Sequence, residues 1–202
     1  MVDAVRRRAG APFLLLLLLL LLLRAAPLRG ALAAGVDRIN VETDGQGELI
    51  TVTASADMQV DPRTVWAVIS DYDRLAEFIP DMRSSRVIRR DGDQVLVEQT
   101  GEFGFLFFRQ PIEVWLAVSE SPPRRIVAHA VGGNLQSMEG RYVVESLAGN
   151  QVRLSYSGRL VPGFQVPPFV GRMAVRSTMD RQFRALVQEI VRRDAAVRGE
   201  LR

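Results

Sequence analysis

The sequence predicts an α+β domain in which an antiparallel sheet of about seven strands is closed by one long C-terminal helix, with two short helices inserted after the first long strand. Three observations carry this. In the stretch Pro168 to Arg193, Met179, Phe183, Leu186, Val187 and Ile190 recur at spacings of three and four, which puts them on one face of a 3.6-period helix. Most of the chain before it alternates apolar and polar residues with period two, the pattern of strands with one buried face. Between the first long strand and the rest, Asp61 to Pro80 breaks that alternation with helix-start signals.

Residues 1–33 read as a secretory signal. Arg6-Arg7-Arg8 form a positive leader, Phe13 to Leu23 an apolar run, and Ala31-Leu32-Ala33 a small-residue cleavage pattern. As a helix that run reaches roughly 16 Å, against a bilayer core of about 30 Å, and Arg24 stops its extension. Cleavage leaves one domain, residues 34–202, working in the periplasm or secreted; the alternative is an uncleaved N-terminal membrane anchor.

Ile39 to Val60 contains a short strand, a turn at Asp44-Gly45 and a longer strand in which Ile50, Val52, Ala54 and Ala56 share the buried face. Asp61-Pro62 is an N-cap and first-turn pair, and Val65, Trp66 and Ile69 group on the helix that follows to about Ser70. Asp73 is placed to cap a second short helix that ends at Phe78-Ile79-Pro80.

About six strands then follow: Arg86 to Arg90, Val95 to Phe103, Leu106 to Val118, Arg125 to Val131, one around Met138 to Glu145, and Val152 to Leu160. Turn signals at Asp91-Gly92-Asp93, Pro122-Pro123, Gly132-Gly133-Asn134 and Gly149-Asn150 separate them. Inward residues are Leu106, Phe108, Ile112, Val114, Leu116 and Val118 on the third of these strands. On the last two they are Met138, Gly140, Tyr142 and Val144, then Val152, Leu154, Tyr156, Gly158 and Leu160. Pro162 to Pro167 links to the long helix, in whose first turn Pro168 is at home and in whose last turn Arg192 and Arg193 suit the helix dipole.

Composition narrows the function. With 48% hydrophobic residues the chain has a core to bury, and without cysteine it has neither disulfides nor thiolate chemistry. The formal charge of +3 comes from residues 1–33, which hold five arginines and one aspartate; without them 21 basic and 22 acidic side chains remain. The domain is therefore not a nucleic-acid binder by charge. Every basic side chain other than His129 is arginine.

The order of elements resembles the helix-grip fold of the START-like (SRPBCC) superfamily. The run Val65-Trp66-Ala67-Val68-Ile69-Ser70-Asp71-Tyr72-Asp73, with Phe78-Ile79-Pro80 behind it, is similar to the polyketide cyclase/dehydrase and coenzyme Q-binding branch, and so is the link from Gly158 to Pro168. The resemblance covers roughly residues 47 to 195 and implies a curved sheet with a hydrophobic cavity beneath the long helix. It does not choose a function, because carriers, lipid binders and enzymes share that scaffold.

No constellation in the sequence commits the chain to catalysis. His129 stands in a strand with no nucleophile or orienting acid beside it, so a relay has no parts to work with. Neither a metal-ligand pattern nor a phosphate-cradling glycine loop is found, and no cofactor is expected. Asp71 and Asp73 flank Tyr72 at helix boundaries, where capping is the simpler use of an aspartate than acid–base work. The candidate ligand-lining residues are Trp66, Phe78, Tyr142, Tyr156 and Phe183, large groups able to line a cavity or to fill a core; Trp115 is a further large ring. Arg172 and Arg176 share the helical stripe of Phe183 and Ile190. A guanidinium does not sit unpaired in an apolar core. Either the helix start overhangs the sheet, or these arginines pair with Glu98, Glu102 or Glu113, or they hold a ligand's polar head at the cavity mouth.

The expected activity is binding or carriage of a small hydrophobic ligand, a lipid, an isoprenoid quinone or similar, with transient membrane contact as the further partner. A polyketide cyclase or dehydratase is the enzymatic alternative, and an envelope interaction module with a filled cavity is the third. The sequence sets no oligomeric state.

Overall fold

Eight antiparallel strands form a single sheet in the order β1-β2-β8-β7-β6-β5-β4-β3, with β1 (Val36–Gln46) and β3 (Met82–Asp91) at its edges. The computed structural model describes residues 35–105, 108–165 and 168–200, all within the compact unit Leu32–Arg202. The expectations for residues 1–33, for Leu106 and for the end of the Pro162 to Pro167 link lie outside the described residues.

β2 (Leu49–Met58) pairs with both β1 and β8 (Val152–Pro162) and buries Ile50, Val52, Ala54 and Ala56, the face its alternation picks out. The turn before it is not at Asp44-Gly45. Gly45 stays in the ladder opposite Ile50, and the chain reverses at Gly47, whose φ of 63° lies in the left-handed region that favours glycine. α1 (Pro62–Ile69) begins where expected, with Asp61 Oδ1 accepting from Arg63 N. A 3₁₀ helix follows over Tyr72–Glu77. Neither flanking aspartate caps it. Asp73 Oδ1 accepts from Val87 N on β3 at 2.7 Å, and Asp71 pairs with Arg193 at 2.8 Å. Both carboxylates therefore tie this segment to the rest of the fold.

β4 (Gln94–Phe105), β5 (Phe108–Ser121), β6 (Arg125–Gly133) and β7 (Leu135–Ser146) continue the meander to β8. The expected loop at Gly132-Gly133-Asn134 is narrower than its glycines suggest. Gly132 and Gly133 remain paired with Trp115 and Val114, and the side chain of Asn134 bonds both Glu113 N and Pro111 O, fixing the corner. β6 and β7 pair only as far as His129 and Glu139, so the two strands part over residues 130–138. His129 is exposed on the outer face, and so is Trp115 at 47%.

α2 (Pro168–Glu200) lies across the concave face. It touches β1 and β2 near one edge of the sheet, β4 near the other, and α1. Its Phe183, Leu186, Val187 and Ile190 are buried against Met58, Val65, Val97 and Leu154, as the 3.6 period requires. Burying each such side chain contributes about 1.5–3 kcal/mol. The helix outlasts its apolar stripe by two turns. Asp194, 2% exposed, accepts from Asp61 N at 2.8 Å and pairs with Arg198, whose guanidinium also donates to Gln59 O. Polar ties to the start of α1 hold those turns, which a search for apolar spacing does not register.

Candidate functional site

The space beneath α2 is not filled. Two adjoining lobes, each of about 180 Å³, lie between the helix and the sheet. Together they reach the lower end of the roughly 300–1,000 Å³ common for small-molecule sites. The first is roofed by Tyr72 and Leu75 of the 3₁₀ helix and Ile79 just after it, walled by Phe183 and Leu186 of α2, and floored by Leu116, Ala128, Tyr142 and Tyr156 of the sheet. The second runs towards the start of α2, between Val175 and Thr178 on one side and Phe103, Ile112 and Leu160 on the other. Met82, Gln99, Met138, Met179 and Gln182 line both and form the waist.

The floor of the first lobe follows from strand register. Tyr142 on β7 stands directly opposite Tyr156 on β8, with ring centroids 4.8 Å apart and tilted by 46°. The neighbouring cross-strand pair is Gly140 with Gly158. A Cβ at Gly158 would lie 2.8 Å from Tyr156 Cζ, and one at Gly140 would lie 3.1 Å from Tyr156 Oη. The absence of side chains there lets the Tyr156 ring lie down over the sheet. Both tyrosines are half-buried by accessible surface although they sit over the middle of the sheet, because their free surface faces the lobe. Burial raises both hydroxyls, Tyr156 to about 12 and Tyr142 further, the latter also by its proximity to Tyr156. Burial also pushes Tyr72 far above the ordinary range, helped by the Glu120 carboxylate facing it; Glu120 is paired with Arg90 at 2.9 Å. These phenols are therefore hydrogen-bond donors at neutral pH, not phenolates.

The roof is clamped to the helix by polar bonds. Arg193 pairs with Asp71 at 2.8 Å and with Glu189 at 2.7 Å, and its guanidinium lies 5.5 Å over the Phe78 ring. Arg181 pairs with Asp81 at 2.5 Å, and Gln182 Nε2 donates to Pro80 O at 3.1 Å. Glu189 is held by Arg192 as well, and hydrogen bonds from Arg192 and Arg193 lower its carboxyl to about 2 against the opposing effect of burial.

Of the residues singled out in the sequence, Tyr142, Tyr156 and Phe183 line the first lobe. Trp66 and Phe78 pack against the core from its flanks, outside the described lining, because α1 turns Val65, Val68 and Ile69 inward and Phe78 lies under Arg193. Arg172 and Arg176 are exposed and line neither lobe. The helix start lies along the β1–β2 edge, where a Cβ on Gly45 would come within 3.0 Å of Arg172 Cδ. Among the described residues neither arginine forms an ion pair. The acids proposed for them are engaged elsewhere or free: Glu98 pairs with Arg86, and Glu102 with Arg83 and Arg109. Of the waist, the sequence marks Met138 and Met179 as inward by their spacing, but not Met82, Gln99 or Gln182. Its signal in the sequence is faint: Met82, Met138 and Met179 are half of the six methionines in the chain.

A family model for polyketide cyclase/dehydrase and lipid transport proteins matches residues 58–187. The fold is also that of solved structures of low sequence identity. One is an aromatase/cyclase from Streptomyces sp. R1128, 12% identical over 73% of this chain and 94% of that one, with a TM-score of 0.60. Another is a STAR-related lipid transfer protein from Xanthomonas axonopodis, 14% identical over 78% and 94%, also at 0.60. A third is a START superfamily protein from Mycobacterium smegmatis, 15% identical over 73% and 98%, at 0.56. No curated protein sequence matches the chain. The family match takes in α1, the roof, the strands and the gripping half of α2, and on that span the protein is a member of the polyketide cyclase/dehydrase and lipid transport family.

Proposed function

We propose that this protein is an exported carrier of a small hydrophobic molecule, held in the two lobes between α2 and the sheet. The observation that carries the proposal is the open, apolar space under Phe183, walled by a helix that is clamped at several polar points and so is not free to collapse into it. The lipid transfer protein among its structural likenesses supports the same reading. The leader Arg6 to Leu23 supports export.

The test is to express the full chain with its leader, recover the protein from the periplasm or medium, and analyse an organic extract by mass spectrometry. The expected result is a cut N-terminus near Ala33 and a stoichiometric lipophile. Ligand-free protein with no affinity for neutral lipophilic probes overturns the carrier.

A second reading, a cyclase acting on a polyketide chain, draws support from the aromatase/cyclase likeness and from the three tyrosines lining one lobe. Proton transfer by those groups is disfavoured by hydroxyls raised to about 12 or beyond, since a catalytic acid or base works best near the operating pH. A cytoplasmic pool with an uncut leader and turnover of a carrier-tethered polyketide would favour this reading over carriage.

A further inference from the structure

The roof is tied to α2 and to β3, but its seat on β5 is left unfinished. Tyr72, 6% exposed, lines the first lobe with its ring, and its hydroxyl is buried with no hydrogen-bond partner among the described residues. The carboxylate facing that hydroxyl belongs to Glu120, two residues beyond the buried Val118 on β5. Glu120 Oε2 accepts from Arg90 Nη1 at 2.9 Å, while its Oε1 is buried and also without a partner among the described residues. The Arg90 guanidinium lies 6.0 Å from the centre of the Tyr72 ring. A donor and an acceptor of matching chemistry therefore face each other without bonding.

Each of these groups is unfavourable while unbonded, and a phenol–carboxylate bond is of the stronger, charge-assisted kind. The pull on the Tyr72 hydroxyl is thus towards β5. What opposes it is the ring, which belongs to the same core cluster as Ile69, Val97 and Val118. Drawing the ring away forfeits dispersion contacts on the side that it leaves. Cargo in the first lobe reverses that balance, because it supplies contacts from below and fills the space behind the ring. We propose that Tyr72 and Glu120 form a latch that closes on loading: with cargo in the first lobe the ring shifts towards β5, its hydroxyl bonds Glu120 Oε1, and the roof is tied down over an occupied cavity. Delipidated protein leaves the latch unfastened. A bond made only in the loaded state strengthens binding by the same factor as binding strengthens the bond. The proposal rests on the carrier reading of the same cavity and adds how the carrier retains what it holds, whatever the chemistry of that cargo.

The experiment loads delipidated protein with a neutral fluorescent lipophile, N-phenyl-1-naphthylamine, and reads its affinity together with amide exchange. Loading is expected to slow exchange across residues 72–79 by about tenfold, the worth of one buried hydrogen bond. Tyr72→Phe keeps the ring and removes only the hydroxyl. It is expected to bind the probe about tenfold more weakly, to lose most of the added protection of the roof, and to leave the Tm of delipidated protein unchanged or higher. Glu120→Gln also disturbs Arg90, so it is read as a cycle: it is expected to weaken binding by about threefold beside Tyr72 and by less than twofold in the Tyr72→Phe background. Equal affinity of the unmodified protein and Tyr72→Phe, roof exchange unchanged by loading, or an equal effect of Glu120→Gln in both backgrounds overturns the latch while leaving a hydrophobic carrier in place. So does a Tm lowered, or a fold lost, by Tyr72→Phe before loading, since the bond would then be made without cargo. Failure of the protein to bind the probe or any other lipophile overturns the carrier itself, and the latch with it.

Discussion

A tyrosine ring can lie over a β-sheet only where the sheet offers no Cβ beneath it, and the Gly140–Gly158 pair supplies that bare patch for Tyr156. Gly158→Ala is therefore expected to destabilise the fold by about 1–3 kcal/mol, the usual cost of forcing extra volume into a packed site. The same change in a Tyr156→Leu background is expected to cost distinctly less, because the ring it strikes is gone. Equal costs in the two backgrounds, measured by urea unfolding, would break the link between the glycine and the ring. Glu189 gives a second prediction. Its folded carboxyl, lowered to about 2, lies below its ordinary value of 4.5, so its contribution is complete above about pH 4.5 and is lost as the pH falls towards 2. Discounted for the exposure of Arg192, that contribution is about 2 kcal/mol. Glu189→Gln is expected to lower stability by that amount at pH 7 and to flatten the acid limb of stability between pH 4.5 and 2. At this scale the sequence was readable only in part. Alternation along β7 and β8 turned Tyr142 and Tyr156 inward, since side-chain direction is a local property. That Gly140 meets Gly158 depends on register between strands, which alternation within one strand does not set.

Among the elements, α2 does two jobs with two different chemistries. Its middle is an apolar wedge and its last turns are a polar clasp, in which Asp194 reaches Asp61 and Arg193 reaches Asp71. The spacing of apolar residues located the wedge, and Pro168, suited to a first helical turn, the helix start. The clasp left no trace in that spacing, so the helix runs on to Glu200 beyond its expected end at Arg193. The same limit explains Asp71 and Asp73: their sequence neighbours suggest caps, while their partners, Arg193 and Val87, are distant in sequence. Arg172 and Arg176 show the converse, since helical phase puts them on the inner stripe although the helix start lies along the β1–β2 edge. Because the clasp holds the roof over the first lobe, Arg193→Met is expected to cost about 2 kcal/mol by leaving Asp71 only its looser pair with Arg74 and Glu189 only Arg192. It is also expected to speed amide exchange across residues 71–79 before it affects β7 and β8. Uniform acceleration over the whole sheet would mean that the clasp holds the global fold and not the roof.

For the whole molecule, the open lobes are a choice against stability. A helix gripped by a sheet of eight strands has ample side chains to close a gap of this size, and close packing to near-crystalline density is the rule for protein interiors. A space left open and lined by flexible methionines at its waist forgoes dispersion contacts that a filled core would make. Stability and capacity for cargo should then move in opposite directions when the space is filled. Ala128 is suited to test this: it lies on the lobe floor on β6, between Val118 of β5 and Gly140 of β7, with no side chain on the Gly140 side. Ala128→Leu adds three carbon atoms pointing into the first lobe. It is expected to raise stability by about 1 kcal/mol, within the range that cavity filling commonly yields. For a domain of this size that is an increase of about 2–4 °C in Tm. It is also expected to weaken binding of a neutral lipophilic probe by more than tenfold. Loss of stability with binding unchanged would mean that the lobe floor is already tightly packed, and that whatever the protein carries is held elsewhere.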